Sequence, residues 1–400
     1  MGNIQDGEIV FDKLVYSNDL DDNKKLLLQY GDLLFNRTNS AELVGKTAIF
    51  RGQRNAIFAG YLILLRPIFI NSEYLNLLLN TPYARDYCNE VKTIGVQQCN
   101  INAEKISNLL IPVPNLHETV AIVEKVKNIA LPIIKYGEFY QKLKHLNREL
   151  PIIIRKSILQ EAIQGKLVPQ IAEEGTAREL LEQIKTEKEK LVREGKLKKS
   201  ALTDSVIFRG DDNKYFEKIG KTEQDITDEI PFDIPNTWVW VRHNDLFDIS
   251  GGSQPPKSKF IEREKEGYIR LFQIRDYGSN PQPIYIPLST ASKISQKGDI
   301  LLARYGASLG KVFYAEYGAY NVALAKVIPL YESRLIFQKY IFLYYCSSIY
   351  QNEIVNRSRC AQAGFNKEDL NSLLFPLPPL SEQYRIVEKY EKAIASIMSR

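Results

Sequence analysis

Residues 111–126 read IPVPNLHETVAIVEKV and residues 375–390 read FPLPPLSEQYRIVEKY. Set against each other, residues 102–125 and 366–389 share 12 identities in 24 positions, among them Pro112/Pro376, Pro114/Pro378, Leu116/Leu380, Glu118/Glu382 and the run 122–125 with 386–389. The likeness extends upstream. GDLLFNR (31–37) matches GDILLAR (298–304), and the VGK ending at Lys46 matches the LGK ending at Lys311. Each copy keeps one order: a Gly-Asp turn, a short apolar strand ending in arginine, a Gly-Lys turn, further strands, a Pro-x-Pro corner and a helix. A chain of 400 residues already exceeds what one hydrophobic core usually organises, and the duplication predicts two like-built units.

Composition narrows the class. With 44% apolar and 25% charged residues the chain reads as an ordinary folded protein rather than a disordered one. The start MGNIQDGEIV lacks the basic-then-apolar pattern of a secretory signal, and the apolar stretch 56–65 stops at Arg66-Pro67, so no membrane association and a cytoplasmic location are expected. The cysteines Cys88, Cys99, Cys346 and Cys360 form no CxxC pair and have no histidines nearby, which favours buried free thiols over disulfides or a metal site. The net charge of +5 is unevenly spread: residues 231–380 carry 17 basic and 13 acidic side chains, while residues 1–114 carry 11 and 12. A polyanion partner fits that surplus.

The expected fold class is α+β. Segments 47–50, 61–65, 268–274, 299–303, 311–315 and 325–330 are apolar, β-branched or aromatic, and bounded by Gly, Pro and Asn, as strands are. Segments 73–88 and 337–352 have helical apolar spacing. The prolines at 112 and 114, and at 376, 378 and 379, are read as marking the exit from each unit, since they can neither continue a strand ladder nor sit inside a helix. The boundaries that follow are a first unit at 1–114, a spacer helix at 115–165, a charged connector at 166–230, a second unit at 231–380 and the start of a distal helix at 381–400. The connector, with its high charge and little net sign, reads as a solvated arm whose helix is capped at Thr176.

In the spacer, Leu116, Val120, Val123, Val126 and Ile129 form one apolar stripe, which resumes at Leu143, Leu146, Leu150, Ile154 and Ile158. A continuous helix there would reach ~70 Å at ~1.5 Å per residue, with Pro132 and Pro151 arguing against a straight one. Such a stripe needs covering, and the equivalent segment begins at Ser381, so the two helices are expected to pack side by side. Val120, Val123, Val126, Leu143, Leu146, Ile158 and Ile386 are the candidate partner-docking positions.

Catalytic chemistry has little to build on. The stretch SAELVGKT (40–47) resembles a phosphate-binding loop, but Ser40 stands where a glycine must let the backbone wrap the phosphates, and the second copy replaces the metal-binding hydroxyl with valine. A structural turn accounts for it better. Only three histidines exist (His117, His145, His243), and no serine elbow, HExxH or dinucleotide fingerprint is present.

The chain instead offers forked and planar polar side chains on expected turns. In the first unit these are Arg37, Asn39, Lys46, Gln97, Gln98 and Asn100; in the second, Ser253, Gln254, Lys257, Gln273, Arg275, Arg304, Tyr305, Ser308, Lys311, Arg359, Gln362 and Asn366. Arginine suits guanine and glutamine or asparagine suits adenine in the major groove, while lysine and serine hold phosphates. Arg37 and Arg304 stand out because they recur at the same place in both units beside glycine-rich turns.

Taken in order, GDLLFNRTNSAELVGKTAIF, the proline corners with IVEKV and IVEKY, RKSILQEAIQGKLVPQ (155–170), EIPFDIPNTWVWVR (229–242), GGSQPPKSKF (251–260) and ARYGASLGK (303–311) resemble the DNA-specificity subunits of type I restriction-modification systems. The resemblance covers nearly the whole chain. It implies two target-recognition domains, each reading half of a split double-stranded DNA site, joined by long conserved helices that pack antiparallel and set the half-site spacing. It also implies docking of methyltransferase subunits that bring S-adenosylmethionine, and of a restriction nuclease subunit, with ATP and Mg on those partners and no cofactor or metal on this chain.

The pattern is incomplete at both ends. Only 30 residues precede Gly31, whereas the segment from Pro231 through Trp238, Trp240 and Gly251-Gly252 precedes Gly298, so the first recognition domain is expected to lack its opening strands. The distal helix is likewise short, as in a fragment or in a split or recombining gene. Two rivals stand beside a non-catalytic DNA reader: a pure assembly scaffold using only the helices, separable by duplex binding, and an enzyme acting on nucleic acid or nucleotide, separable by turnover with ATP or a methyl donor.

Overall fold

The computed structural model describes residues 2–96, 98–202, 205–332, 334–357 and 364–398. The chain divides into two compact units, Met1–Lys144 and His145–Arg400. Both are α+β, as the pattern predicts.

The first unit opens with strands β1 (Ile4–Gln5) and β2 (Glu8–Ile9) and helix α1 (Leu20–Lys25), followed by β3 (Leu33–Asn36), β4 (Thr38–Asn39), β5 (Thr47–Ile49) and β6 (Leu62–Leu65). Helices α2 (Ser72–Leu79) and α3 (Pro82–Val91), the short strands β7 (Thr93–Ile94) and β8 (Cys99–Asn100), and α4 (Ala103–Ser107) complete it. The main sheet runs β1-β2-β5-β3-β6, with β6 at one edge, and a second small sheet runs β4-β8-β7. Leu33, Phe35, Val44 and Ile49 pack against Leu79, Ala84, Cys88 and Ile101 to form the larger of its cores. The single helix expected over 73–88 is two. Asn80 ends α2, and Thr81 caps α3 ahead of Pro82, whose missing N–H costs nothing at a first helical position.

Helix α5 (Leu116–Ile163) is continuous for 48 residues and carries both Pro132 and Pro151 within it. Its first residues belong to the first unit and its last to the second.

The second unit holds α6 (Ala177–Arg193), β9 (Ser205–Arg209), β10 (Tyr215–Ile219), β11 (Thr222–Asp225), β12 (Val239–Arg242), α7 (His243–Leu246) and β13 (Phe247–Gly251). These are followed by β14 (Tyr268–Phe272), β15 (Tyr285–Pro287), β16 (Ile294–Ser295), β17 (Ile300–Ala303), β18 (Val312–Tyr314), β19 (Gly318–Tyr320) and β20 (Leu324–Pro329). The unit closes with α8 (Gln338–Cys346), α9 (Ser348–Arg357), α10 (Glu368–Asn371), β21 (Leu374–Leu377) and α11 (Leu380–Met398). The sheets are β11-β10-β9, β12-β21, β13-β20-β17-β18 and β15-β14-β19-β16. An aromatic core lies under them, with Phe375 within 4.6 Å of Tyr344 and 5.4 Å of Phe247, centroid to centroid.

The structure departs from the sequence pattern at three places. Pro376 lies inside β21 and pairs with Trp240, because a two-stranded sheet has only edges and an edge position tolerates the missing N–H. The connector is not a solvated arm: Ala177, Leu180 and Ile184 of α6 are buried in the core, and β9 to β11 form a sheet whose Glu217 is buried against Arg242 of β12. The stripe of α5 is covered only in part. Leu159, Ala162 and Ile163 share a core with Ile386, Val387 and Tyr390 of α11, antiparallel to it, with Arg155 Nε 3.3 Å from the Tyr390 hydroxyl and Gln170 donating to Glu382 at 2.7 Å. Leu143, Leu146 and Leu150 remain exposed.

Of the described cysteines, Cys88 and Cys99 are buried and Cys346 is half-buried, all as free thiols. Burial pushes the Cys88 thiol up, and that of Cys346 to about 11. Among the described residues no helix is long and apolar enough to cross a membrane, and no group of His, Cys, Asp or Glu is arranged to hold a metal.

Candidate nucleic-acid interface

Arg37 and Arg304 occupy the same frame in the two units. The Arg37 N–H donates to Tyr61 O at 3.2 Å and its carbonyl accepts from Ile101 N–H at 2.9 Å; the Arg304 N–H donates to Ala323 O at 2.9 Å and its carbonyl accepts from Phe365 N–H at 3.3 Å. The strand before each arginine starts at a glycine in the left-handed region, Gly31 at φ +89° and Gly298 at φ +92°, which fixes where the strand begins and therefore where the arginine ends it. The turn after each is also shared: Gly45 N–H donates to Asn36 O at 2.8 Å, and Gly310 N–H to Ala303 O at 3.0 Å. That turn confirms the structural reading of the Gly-Lys motif. Thr47, which would have to reach a metal in a phosphate loop, is fully buried with its hydroxyl toward Gly45 O.

In the second unit the Arg304 guanidinium lies 5.0 Å from the centre of the Tyr305 ring, and its Nε and Nη2 each sit 3.4 Å from Phe365 O. Tyr305 bridges to Gly364 and is itself 42% exposed. The Gly251-Gly252 turn runs alongside. A side chain at Gly251 would meet the tip of the Arg304 guanidinium, and one at Gly252 would lie 2.0 Å from Asn321 O, so at Gly252 the backbone fits only without a Cβ.

Beyond the turn a cleft of about 780 Å³ is lined by Gln254, Pro255, Pro256, Lys257, Phe260, Gln273, Arg275 and Ile284. Four of the residues singled out in the sequence, Gln254, Lys257, Gln273 and Arg275, are thus brought together. Asp276 holds their turn: its carboxylate accepts from Gln273 N–H at 2.8 Å and lies 3.5 Å from Arg270. The other cleft residues, Pro255, Pro256, Phe260 and Ile284, were not anticipated, because an apolar wall has no polar signature; the run of two prolines after a double glycine is the only trace of it in the sequence.

Elsewhere the candidates scatter. Asn39 spends its carbonyl on Ser40 N–H, and Asn100 donates to Thr38. Lys46 and Ser308 are half-buried, Gln98, Lys311 and Asn366 are exposed, and the Asn366 N–H donates to Asp369. Gln97, Arg359 and Gln362 lie outside the described residues. Among the described residues none of Arg37, Lys46, Lys257, Arg275, Arg304 and Lys311 has a carboxylate at ion-pair distance, whereas neighbouring Lys326 is paired with Asp299 at 3.1 Å and Lys367 with Asp248. Cations without a carboxylate partner suit phosphates.

The docking candidates divide by burial. Val120, Val126, Leu143 and Leu146 are exposed and Ile158 is half-buried. Val123 and Ile386 are buried within their own units, so they hold the fold rather than a partner.

Comparison with known proteins agrees with this geometry. Residues 235–399 match the type I restriction modification DNA specificity domain, which defines the class of the second unit. The chain is 26% identical over 99% of its length to the MjaX type I restriction enzyme specificity subunit described in Methanocaldococcus jannaschii, covering 79% of that protein. It is 22% identical over 94% of its length to the EcoAI specificity subunit of Escherichia coli, covering 60% of it. The fold is that of the HsdS subunit of Thermoanaerobacter tengcongensis, with a TM-score of 0.51 at 19% identity, covering 93% of this chain and 76% of that one. The second unit thus matches a type I restriction-modification DNA specificity domain, and the chain as a whole is similar to specificity subunits of such systems.

Proposed function

We propose that this chain is the non-catalytic reader of a type I restriction-modification complex. The cleft and the Arg304 turn of the second unit contact base edges and phosphates of one half of a split duplex site, and the Arg37 turn of the first unit serves the other half. The exposed apolar positions of α5 dock methyltransferase subunits, which carry S-adenosylmethionine; ATP and Mg belong to a nuclease subunit. The chain acts in the cytoplasm, where such a complex meets DNA.

The observation that carries this reading is the recurrence, in the same hydrogen-bonded frame in both units, of an arginine with no carboxylate at ion-pair distance among the described residues. A structural arginine would be expected to find a carboxylate. Selection of duplexes from a random pool by the full chain, assembled with a methyltransferase subunit, tests it. The expected result is a consensus of two short elements at fixed spacing. Enrichment without any consensus, with the methyltransferase still bound, would leave only the scaffold reading.

A further inference from the structure

The two units share a frame, but one face that is covered in the second is open in the first. The shared frame is detailed: the Tyr74 hydroxyl donates to Pro112 O at 3.0 Å just as Tyr340 donates to Pro376 O at 2.9 Å. In the second unit, β21 after that tyrosine pairs with β12, and β20 is flanked on its outer side by β13. In the first unit the counterpart of β20 is β6, an edge strand, and residues 110–113 form no strand. The exposures follow. Leu110 is 81% exposed where Leu374 is 6%, and Val113 is 68% exposed where Leu377 is fully buried.

The same contrast holds for the carboxylates. Glu382 is buried, accepting from the Trp238 indole at 2.9 Å and from Gln170 at 2.7 Å, and burial raises its pKa. Its repeat partner Glu118 stands exposed at the start of α5. In the same unit, a groove of about 380 Å³ opens between β6, α2 and α4, lined by Leu65, Leu79, Ile106 and Ile111 among others. In the second unit the corresponding Tyr345 and Phe375 are met by the ring of Phe247 from β13, at 6.4 Å and 5.4 Å. The residues that precede β3 do not fill this place, because β2 pairs with β5, on the other side of the sheet.

We propose that this open face of the first unit is a docking site for an extended segment with the chemistry of residues 231–252 of this chain. Its first strand adds to residues 110–113, its indole donates to Glu118, and its second strand adds to the edge of β6 while an aromatic side chain enters the groove. Strand addition of this kind draws affinity from main-chain hydrogen bonds and specificity from alternate side chains.

The test uses the full chain and a synthetic peptide of the sequence 231–252. Amide hydrogen exchange reads where it binds. Saturable one-to-one binding is expected, with protection gained at residues 62–65 and at 110, 111 and 113. Glu118→Lys, at an exposed position that the fold does not need, is expected to weaken binding at least ten-fold, as is replacing both the Trp238 and Phe247 positions of the peptide by alanine. Absence of protection at those amides, or binding indifferent to both changes, would overturn the proposal.

Discussion

Arg242 is the clearest point at which one side chain holds the second unit together. It ends β12, where its Nη2 lies 2.6 Å from Glu217 of β10, and its Nη1 donates to Glu229 at 2.7 Å and to Ser372 O at 2.8 Å. Glu217 is buried, and without Arg242 its remaining side-chain partner is the Ser205 hydroxyl at 2.6 Å. Glu229 is half-exposed and would simply be solvated. Arg242→Met keeps the stem and removes the charge, stranding one buried carboxylate, a change that costs about 3–5 kcal/mol. The pH dependence should invert as well. Burial alone would raise the Glu217 pKa above its ordinary 4.5, but the Arg242 bonds hold it below. In the wild type, therefore, this carboxylate contributes stability above about pH 4.5 that is lost as pH falls through the lowered folded pKa. In the variant the folded pKa rises, so the stability is present below about 4.5 and lost as pH climbs through the new value. Urea unfolding followed by tryptophan fluorescence reads this unit alone, because the only two tryptophans, Trp238 and Trp240, are both buried within it. Arg242→Met with Glu217→Gln should recover much of the loss. A loss under about 1 kcal/mol at pH 8, or a double variant weaker than the single one, would refute the reasoning.

His243 is fully buried against the Tyr345 hydroxyl at 2.7 Å, and burial lowers its pKa to about 3. Because the unfolded chain takes up that proton first, stability is full above about pH 6.5 and falls by up to ~1.4 kcal/mol per unit as pH drops toward 3; urea midpoints of His243→Gln should lose this slope. Gly252→Ala places a Cβ against the Asn321 backbone, so it should lower the melting temperature of the second unit and weaken duplex binding, while an exposed Gly220→Asn change should not. Lys257→Ala should weaken binding to all duplexes alike and reduce the slope of log K against log salt by about 0.9, measured by anisotropy titration.

Much of the frame was legible because it is written twice. The Gly31 and Gly298 turns, the strands that follow them and the arginines that end them could be aligned without coordinates, and the structure gives them matching hydrogen bonds. Legibility failed where local rules met their exceptions. Thr81-Pro82 is a helix start hidden inside a longer apolar period, and Pro376 sits in a strand because that strand has only one neighbour. Strands β9 to β11 are short and interleave buried Ile207 and Tyr215 with charged residues, including the buried Glu217, so periodicity does not mark them. The cleft was half visible. Gln254 and Lys257 lie close in sequence, but Gln273 and Arg275 reach them only through the fold of β14, and the apolar wall between them carries no chemical signal.

Whether Arg304 reads a base decides whether the second unit recognises sequence. Its guanidinium is held beside Tyr305 and Phe365 O with no carboxylate partner among the described residues. The decisive measurement is the affinity of wild type and Arg304→Ala, assembled with a methyltransferase subunit, for the selected duplex and for a scrambled one at the same salt. Loss of a base-edge pair is worth ~1–3 kcal/mol of discrimination, so binding to the selected duplex should fall by about 5- to 150-fold while the scrambled duplex is held nearly as before. Equal weakening on both duplexes would contradict it, assigning Arg304 to phosphate and leaving the second unit without its proposed reader.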